Sequence, residues 1–254
     1  MPTATHLRAN PLLAIGALAG PLFIVVYTIQ DLTRPGFNPL RDQVSQLALG
    51  GGGWVQAANF FVTGVLVLAL AAGLRQALRP HRLVPSLIAL AGLGLAAATF
   101  FATDPPGNGY PPGTHAAMTA HGQIHDLAAG LFYVCLSVAG MVCGRRAAKQ
   151  GQRGFAAYSI TSVVAMIGFL LVSSIGYAQV PGLAGVSGPF ERLTLMSGLL
   201  WMTALVVYLS RGNRLYQTSA GGRSSSATRT GPQGVAGHRL TTCPAASPPP
   251  GQTK

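Results

Sequence analysis

The chain has 254 residues, of which 49% are hydrophobic and only 9% are charged. Soluble domains carry roughly a quarter of charged residues, so this composition excludes an ordinary soluble domain. The net charge of +12 does not indicate nucleic-acid binding, because the basic residues lie in short loops and in the tail, without a basic domain or a readout motif. The three cysteines have neither disulfide nor zinc-finger spacing.

Six apolar segments follow one another along the chain, each near the roughly 20 residues that cross a bilayer as a helix. They lack the alternation of barrel strands, and backbone groups in lipid must be paired within the element. The sequence therefore predicts an all-α fold, a polytopic membrane bundle of six transmembrane helices surrounded by membrane lipids. The predicted segments are Pro11–Gln30, Trp54–Leu74, Val84–Thr103, Gly122–Cys143, Phe155–Ala178 and Leu193–Ser210.

Three parts are expected: a short N-terminus at 1–10, the six-helix domain at 11–210 and a basic tail at 211–254. The tail is rich in Ser, Gly, Pro and Thr, which predicts disorder because such a segment cannot bury a core. Within the first and fourth helices, Gly16 and Gly20, and Gly140 and Gly144, have the spacing of close helix contacts. In a chain this rich in Gly and Ala, chance is the better explanation of that spacing.

The basic residues predict the orientation. Fourteen of the 17 Lys and Arg residues lie before the first helix, in the second and fourth connections, or after the sixth helix. The other side carries Arg34, Arg41 and Arg192. The positive-inside rule makes the fourteen-residue side cytoplasmic, with both termini inside. The expected location is a bacterial inner membrane, since the Arg, Ala and Gly usage is typical of GC-rich bacteria.

All five acidic residues fall at or near the outer face, an arrangement that the positive-inside rule does not require. They are Asp31, Asp42, Asp104, Asp126 and Glu191.

The first outer connection contains a predicted short helix. Asn38 and Pro39 form a helix-start pair, and Leu40, Val44 and Leu47 then fall on one face. This spacing predicts a helix that lies on the membrane surface or caps the bundle. The second outer connection is dense in Pro and Gly, so it is expected to be turn-rich and non-helical until near His121.

Two histidines open the fourth helix, and their spacing is the basis of a candidate site. His121 and His125 lie one turn apart on one face, which suits two ligands of a zinc ion, with Asp126 joining or orienting them. Ser45 is a candidate hydroxyl or nucleophile. With a metal-bound water, such a group hydrolyses an ester or an amide.

A structural role is the alternative. Helix ends at a membrane surface are natural places for His, Asp and Glu, and acidic residues in a first turn favour the helix dipole.

Polar groups of the second and fifth helices are also expected to line an outward pocket together with His125 and Asp126. These groups are Asn59, Thr63, Ser173, Ser174, Tyr177 and Gln179.

Short motifs at the outer helix ends resemble those of a known family. Together with the six-helix layout, they resemble the bacterial domain-of-unknown-function family 998 over roughly residues 11–210. The resemblance implies an integral membrane protein without an established activity, and it draws attention to the outer positions that carry it. These motifs are Asp42-x-x-Ser45-x-Leu47, Phe100–Pro105, His121-x-x-x-His125 and Glu191-Arg192-Leu193.

Two functional hypotheses follow. In the first, a non-enzymatic membrane protein binds a lipid or a small polar ligand at an outer site. In the second, a metal-dependent membrane hydrolase uses His121, His125 and Asp126, with Asp104 or Glu191 assisting, on a lipid ester or amide at the outer leaflet. A transporter or channel is disfavoured because the helices lack ionisable residues near their middles. The candidate ligand-binding residues are Asp42, Ser45, Asp104, His121, His125, Asp126, Glu191 and Arg192.

Overall fold

A computed structural model describes residues 10–78 and 80–227 of the chain. All regular structure in this part is helical, as predicted. Two short 3₁₀ helices, Val44–Ala48 and Ala184–Val186, lie in the connections. The seven α-helices are α1 (Pro11–Gly16), α2 (Ala19–Thr33), α3 (Gly53–Ala77), α4 (Leu83–Ala97), α5 (Ala120–Lys149), α6 (Arg153–Tyr177) and α7 (Ser187–Ala227).

The six-helix membrane layout is confirmed, with the first predicted helix divided between α1 and α2. The division falls at Ala17 and Leu18. Pro21 lies four residues after Ala17 and has no N–H to donate to its carbonyl, which explains a break at this point. Five segments are long and apolar enough to cross a membrane, namely Pro11–Thr33, Gly53–Ala77, Ala120–Lys149, Arg153–Tyr177 and Ala184–Arg211.

Helix α4 is the shortest of the segments that correspond to the six predicted spans. Its 15 residues span about 22 Å, less than the ~30 Å hydrocarbon layer. The predicted segment continued to Thr103, but the helix ends at Ala97, and Thr99 and Phe100 then make tighter turns onto Ala96 and Ala97. Neighbouring side chains hydrogen-bond to the non-helical backbone that follows. Non-helical backbone inside a membrane requires such partners within the protein.

Glycines mark the close helix contacts. A Cβ on Gly16 would lie 2.5 Å from the Cβ of Leu70 in α3, and one on Gly20 would lie 2.7 Å from the carbonyl oxygen of Leu199 in α7. Gly140 and Gly144 similarly face α6. The spacing attributed to chance in the sequence therefore does correspond to helix packing.

Helix α7 contacts helices from both the beginning and the later part of the chain. The buried indole of Trp201 donates to the Ser159 hydroxyl of α6 at 3.1 Å. On another face, Thr203 donates to the carbonyl of Ala17 at 2.9 Å, next to the α1–α2 break. Leu136 of α5 packs against Gly198. Helices α1 and α2 both pack against α3, and from α3 to α6 each helix packs against the next one along the chain.

The first outer connection folds differently from its prediction. Asn38 to Asp42 form a turn, and only Val44–Ala48 is helical, as a 3₁₀ helix. Val44 and Leu47 are buried as predicted, but Leu40 is 60% exposed and Asp42 is completely buried. The prediction of one helix with Leu40, Val44 and Leu47 on one face was therefore wrong. The cause is the Asp42 carboxylate, which accepts the N–H of Asn38 and folds the chain back.

The contacts divide the chain into two units, residues 1–216 and 217–254. In the second unit, residues 217–227 are helical backbone. Residues 228–254, which make up most of the predicted disordered tail, lie outside the described residues, so that prediction stays a prediction.

Candidate functional site

All five acidic residues lie at one end of the bundle, as the sequence indicated. The connections between α2 and α3, α4 and α5, and α6 and α7 meet there through side-chain contacts. Asp31 and Asp42 both contact Arg192, while Glu191 contacts the backbone beside Asp42. Asp104 reaches the start of α5 and the end of α6. We call this the outer end of the bundle.

Arg192 binds three segments together. Its guanidinium donates to both oxygens of Asp31, at 2.8 and 2.6 Å, in the paired geometry that Arg–carboxylate contacts favour. A third nitrogen donates to the backbone carbonyls of Asp42 (3.1 Å) and Gly188 (2.9 Å). The guanidinium also lies 5.8 Å from the ring centre of Phe37. Arg192 therefore connects α2, the first outer connection and α7.

Asp42 is equally well satisfied. Its carboxylate accepts the Asn38 N–H at 2.7 Å, two Arg41 nitrogens at 2.6 and 3.1 Å, and the Asn108 amide at 2.9 Å. The hydrogen bond to Asp42 raises the pKa of Arg41, so this guanidinium stays charged. We call the set Asp31, Arg41, Asp42, Asn108 and Arg192 the outer clamp.

Glu191 caps the 3₁₀ helix of the first outer connection. Its carboxylate accepts the N–H groups of Val44 and Ser45, the latter at 3.4 Å, and also interacts with the Ser45 hydroxyl. A carboxylate at the first N–H groups of a helix satisfies donors that the helix itself leaves unpaired. Predicted to open its helix, Glu191 instead lies one turn inside α7, because that helix begins at Ser187.

His125 is held by the backbone of the α4–α5 connection. Its Nδ1 lies 2.8 Å from the carbonyl oxygen of Phe101, and its ring packs edge-on against Phe60. A carbonyl only accepts, so Nδ1 carries the proton and Nε2 keeps a free lone pair. The side chain is 4% exposed. Burial and this hydrogen bond fix both the tautomer and the direction of Nε2.

Asp104 and Thr119 define the start of α5. The Asp104 carboxylate accepts both the N–H and the hydroxyl of Thr119, at 2.6 and 2.7 Å, and Thr119 caps the helix by accepting the N–H of Gly122. This arrangement starts α5 at Ala120, two residues earlier than predicted. His125 and Asp126 therefore lie in the second turn, and the dipole argument for Asp126 in a first turn was wrong.

His121 and His125 differ in exposure. His121 is exposed, whereas His125 is buried, and the centre of the His121 ring lies 5.4 Å from that of Phe101. Within residues 10–78 and 80–227, no group of three or more His, Cys, Asp and Glu side chains is arranged to hold a metal ion. The zinc site at His121, His125 and Asp126 stays a prediction.

A cavity of about 370 Å³ opens beside His125 at the outer end, between α5, α6, α7 and the first outer connection. We call it the outer cavity. The predicted pocket residues Ser173, Ser174 and Tyr177 line it, while the predicted Gln179, Asn59 and Thr63 do not. The full lining is Gln43, Ser45, Thr103, His125, Asp126, Ala129, Gly130, Tyr133, Leu170, Ser173, Ser174, Tyr177 and Glu191.

Asn59 and Thr63 belong to a different polar cluster inside the bundle. Arg34 donates to Gln30 at 2.8 Å, Gln30 donates to Gln56 at 2.8 Å, and Asn59 contacts Gln56 at 3.3 Å. Thr63 is buried, and its hydroxyl has no hydrogen-bond partner in the described part of the chain. This cluster connects α2 to α3 and shares no residue with the outer cavity.

Several residues of the outer end were not predicted from the sequence. Gln43 donates to the Ser173 hydroxyl at 2.9 Å and forms one wall of the outer cavity, and Tyr133 lines its inner part. Asn108 completes the outer clamp from within the Pro- and Gly-rich connection. Polar residues in such a loop read as turn formers, so nothing in the sequence distinguished Asn108 from its neighbours.

The membrane-length helices and the polar contacts at one end define a polytopic helical membrane protein. The chain belongs to the family described as protein of unknown function (DUF998), whose model matches residues 17–208. This match confirms the resemblance seen in the sequence. No curated protein and no solved structure matches the chain.

Proposed function

We propose that this protein is a ligand-binding protein of the bacterial cell membrane, and that its outer cavity holds a lipid head group or a small polar molecule. The observation that supports this most is the buried His125, whose Nε2 has no hydrogen-bond partner among the described residues, although buried polar groups are normally satisfied. Asp126 is exposed and lines the same cavity, and it also has no hydrogen-bond partner in the described ranges.

The size and shape of the outer cavity suit such a ligand. Its volume of about 370 Å³ falls within the roughly 300–1,000 Å³ of typical ligand pockets. From His125 to Tyr133 it extends over two turns of α5, about 12 Å along the helix. Its lining combines polar side chains with the apolar Ala129, Gly130 and Leu170. This combination fits a molecule with a polar head and an apolar body.

A smaller cavity of about 40 Å³ adjoins the outer cavity and shares five of its lining residues. Its other walls are nearly all apolar, including Phe60, Leu95, Phe132 and Leu195. The pair of cavities therefore offers polar contacts next to a small hydrophobic recess. An amphiphilic ligand uses both kinds of surface, which supports a lipid over a fully polar solute.

The proposed location places the outer cavity on the outside of the cell. The Lys and Arg residues are concentrated at the opposite end of the bundle, which the positive-inside rule makes cytoplasmic. Labelling tests this orientation. A cysteine placed at Asp126, in a variant lacking the three native cysteines, is expected to react with a membrane-impermeant maleimide in intact cells. Reaction only after the membrane is opened would reverse the proposed orientation.

Glycine substitutions provide the direct test of the ligand site. A Cβ on Gly130 meets no atom within 4 Å, and this glycine lines the outer cavity. Gly168 of α6 is a matched control because its Cβ is equally unobstructed but the residue is exposed on the outside of the bundle. Gly130→Leu adds a side chain to the cavity from a Cβ that meets no neighbouring atom, whereas Gly168→Leu adds the same side chain to the exposed surface of the bundle.

The measurement is the amount of lipid or small molecule that co-purifies with each variant in mild detergent, identified by mass spectrometry. Wild type and Gly168→Leu are expected to retain about one ligand per chain, and Gly130→Leu is expected to lose most of it. Equal retention by both variants would show that the outer cavity is not the binding site. A wild type without any retained ligand would contradict the proposed function itself.

A metal-dependent membrane hydrolase is the second candidate, and the geometry of His125 favours it. Metal-ligating histidines usually donate one ring N–H to a carbonyl and keep the other nitrogen for the metal, as Nδ1 and Nε2 of His125 do. Zinc content of the purified protein tests this candidate. It requires about one zinc per chain, which disappears in a variant carrying both His121→Ala and His125→Ala.

A further inference from the structure

Most hydrogen-bond donors around the outer cavity are already used within the protein. The Ser174 hydroxyl donates to the carbonyl of Leu170 at 2.8 Å, and the Tyr177 hydroxyl donates to the carbonyl of Asp104 at 2.7 Å. Gln43 donates to Ser173, and Nδ1 of His125 donates to Phe101. Each of these N–H or O–H groups already donates to an acceptor within the protein.

What remains around the cavity is mainly acceptors. The Asp126 carboxylate accepts no hydrogen bond from residues of the described ranges, and Nε2 of His125 keeps its lone pair. The Ser174 hydroxyl oxygen keeps its lone pairs, because a hydroxyl has one donor and two acceptor sites. The Tyr177 oxygen already accepts from the Thr103 hydroxyl at 3.0 Å and keeps one acceptor site. Two lining hydroxyls, those of Tyr133 and Ser173, keep a proton that no described residue accepts, so they remain as donors. The cavity therefore matches a ligand that brings several donors.

The charges around the cavity have one sign. Asp126 and Glu191 line it, and none of the described lining residues is Lys or Arg. The three arginines at the outer end are used elsewhere. Arg41 and Arg192 belong to the outer clamp, and Arg34 donates to Gln30 and to the carbonyls of Leu47 and Gly52. A concave site lined by carboxylates attracts cations and disfavours free anions.

Building on the proposed function, we infer that the outer cavity selects a ligand with a primary ammonium group, which the Asp126 carboxylate and Nε2 of His125 bind. An ammonium group brings a positive charge and three N–H donors, so it matches both the charge and the free acceptors. A quaternary ammonium has no N–H and is usually held by a cage of aromatic faces. Tyr133 and Tyr177 are the aromatic residues that line this cavity, which is too few for a cage.

The binding experiment uses the full-length protein in nanodiscs of neutral phosphatidylcholine, with a small, fixed fraction of a test lipid. Bound test lipid is counted by native mass spectrometry. Phosphatidylethanolamine, which has a primary ammonium, is expected to bind at least about tenfold better than an equal fraction of phosphatidylglycerol, and to be enriched over the phosphatidylcholine of the disc, since hydrogen bonds to charged groups are among the stronger ones.

Two variants of Asp126 identify the group responsible. Asp126→Asn removes the charge but keeps the shape, and it is expected to abolish most of the preference for phosphatidylethanolamine. Asp126→Glu keeps the carboxylate and is expected to retain a clear part of that preference. Because Asp126 has no described partner to lose, both variants are expected to fold, which a thermal unfolding curve checks.

Competition with free ethanolamine distinguishes the two sources of an ammonium group. Displacement of the bound lipid by millimolar ethanolamine identifies a soluble amine as a ligand of the same chemistry, while no displacement identifies the lipid head group. Equal binding of all three lipids, or an unchanged preference in Asp126→Asn, would overturn the inference while leaving the proposed function intact. Loss of the preference on removal of bound zinc would also overturn it.

Discussion

The outer clamp and the outer cavity are built from the same kinds of residue, and they differ in how those residues are satisfied. In the clamp, Asp31 and Asp42 each receive two or more donors, and the charges of Arg41 and Arg192 are paired. In the cavity, the exposed Asp126 and one nitrogen of the buried His125 have no partner among the described residues. Polar residues at this end of the bundle thus have two different roles, which their contacts and their burial distinguish.

The comparison indicates where ligand chemistry belongs. A carboxylate that is buried and fully hydrogen-bonded fixes the positions of the helices, and exchanging its contacts for those of a ligand would cost stability. A carboxylate that faces a cavity without hydrogen-bond partners can bind a ligand without giving up contacts that stabilise the protein. Three experiments test this division, beginning with the one expected to have the largest effect.

Removing the guanidinium of Arg192 is expected to be the most damaging change. Arg192→Met leaves Asp31 without its partner at a side chain that is only 9% exposed, and two backbone carbonyls lose their donor. Breaking one half of a buried ion pair costs about 3 kcal/mol, because the other charge stays buried. The free energy of unfolding in mixed micelles measures this loss.

The matched control for that measurement is Arg75→Met at the other end of the bundle, where the side chain is exposed. Its effect is expected to stay within about 0.5 kcal/mol. The double variant Asp31→Asn with Arg192→Met is expected to recover part of the lost stability, since the unpaired charge is gone. An Arg192→Met protein as stable as the control would show that the clamp does not hold the helices.

Glycine-to-alanine changes compare the packing of the two regions. A Cβ on Gly188 would overlap the backbone carbonyl oxygens of Pro39 and Asp42, whereas a Cβ on Gly130 meets open space. Overpacking typically costs 1–3 kcal/mol, so Gly188→Ala is expected to lose about 2 kcal/mol. Gly130→Ala is expected to gain up to about 1 kcal/mol from helix propensity. Thermal unfolding that ranks the two variants in the opposite order would contradict this assignment of space.

The smallest effect is expected for Asp126→Asn. The carboxylate has no hydrogen-bond or ion-pair partner in the part of the chain that the structure describes, so its removal leaves no group unsatisfied. The free energy of unfolding is expected to stay within about 0.5 kcal/mol of the wild-type value. A loss above about 1 kcal/mol would place Asp126 with the clamp residues and remove it from the proposed ligand site.

Hydropathy predicted the fold because a bilayer imposes helix length and backbone pairing on any chain that crosses it. Contacts that depend on the three-dimensional arrangement were harder to predict. Gly16 and Gly20 have the right spacing, but only the approach of Leu70 and Leu199 shows that no larger residue fits. The early end of α4 likewise depends on where its following backbone is bound.

The candidate site was predictable as a set of residues but not as two separate groups. The sequence placed Asp42 and Asp126 on one side of the membrane, yet gave no means to tell the buried clamp residue from the open cavity residue. That difference comes from partners far along the chain, such as Asn108. The orientation of His125 depends on the carbonyl of Phe101, and a backbone carbonyl has no residue type by which a sequence can reveal it.

The cap that Glu191 provides couples two parts of the molecule mechanically. Gln43 and Ser45 line the outer cavity. The N–H groups of Val44 and Ser45 donate to the carboxylate of Glu191 on α7. The same helix is anchored farther down by Trp201 against α6. A rotation of α7 is therefore expected to move this wall of the outer cavity.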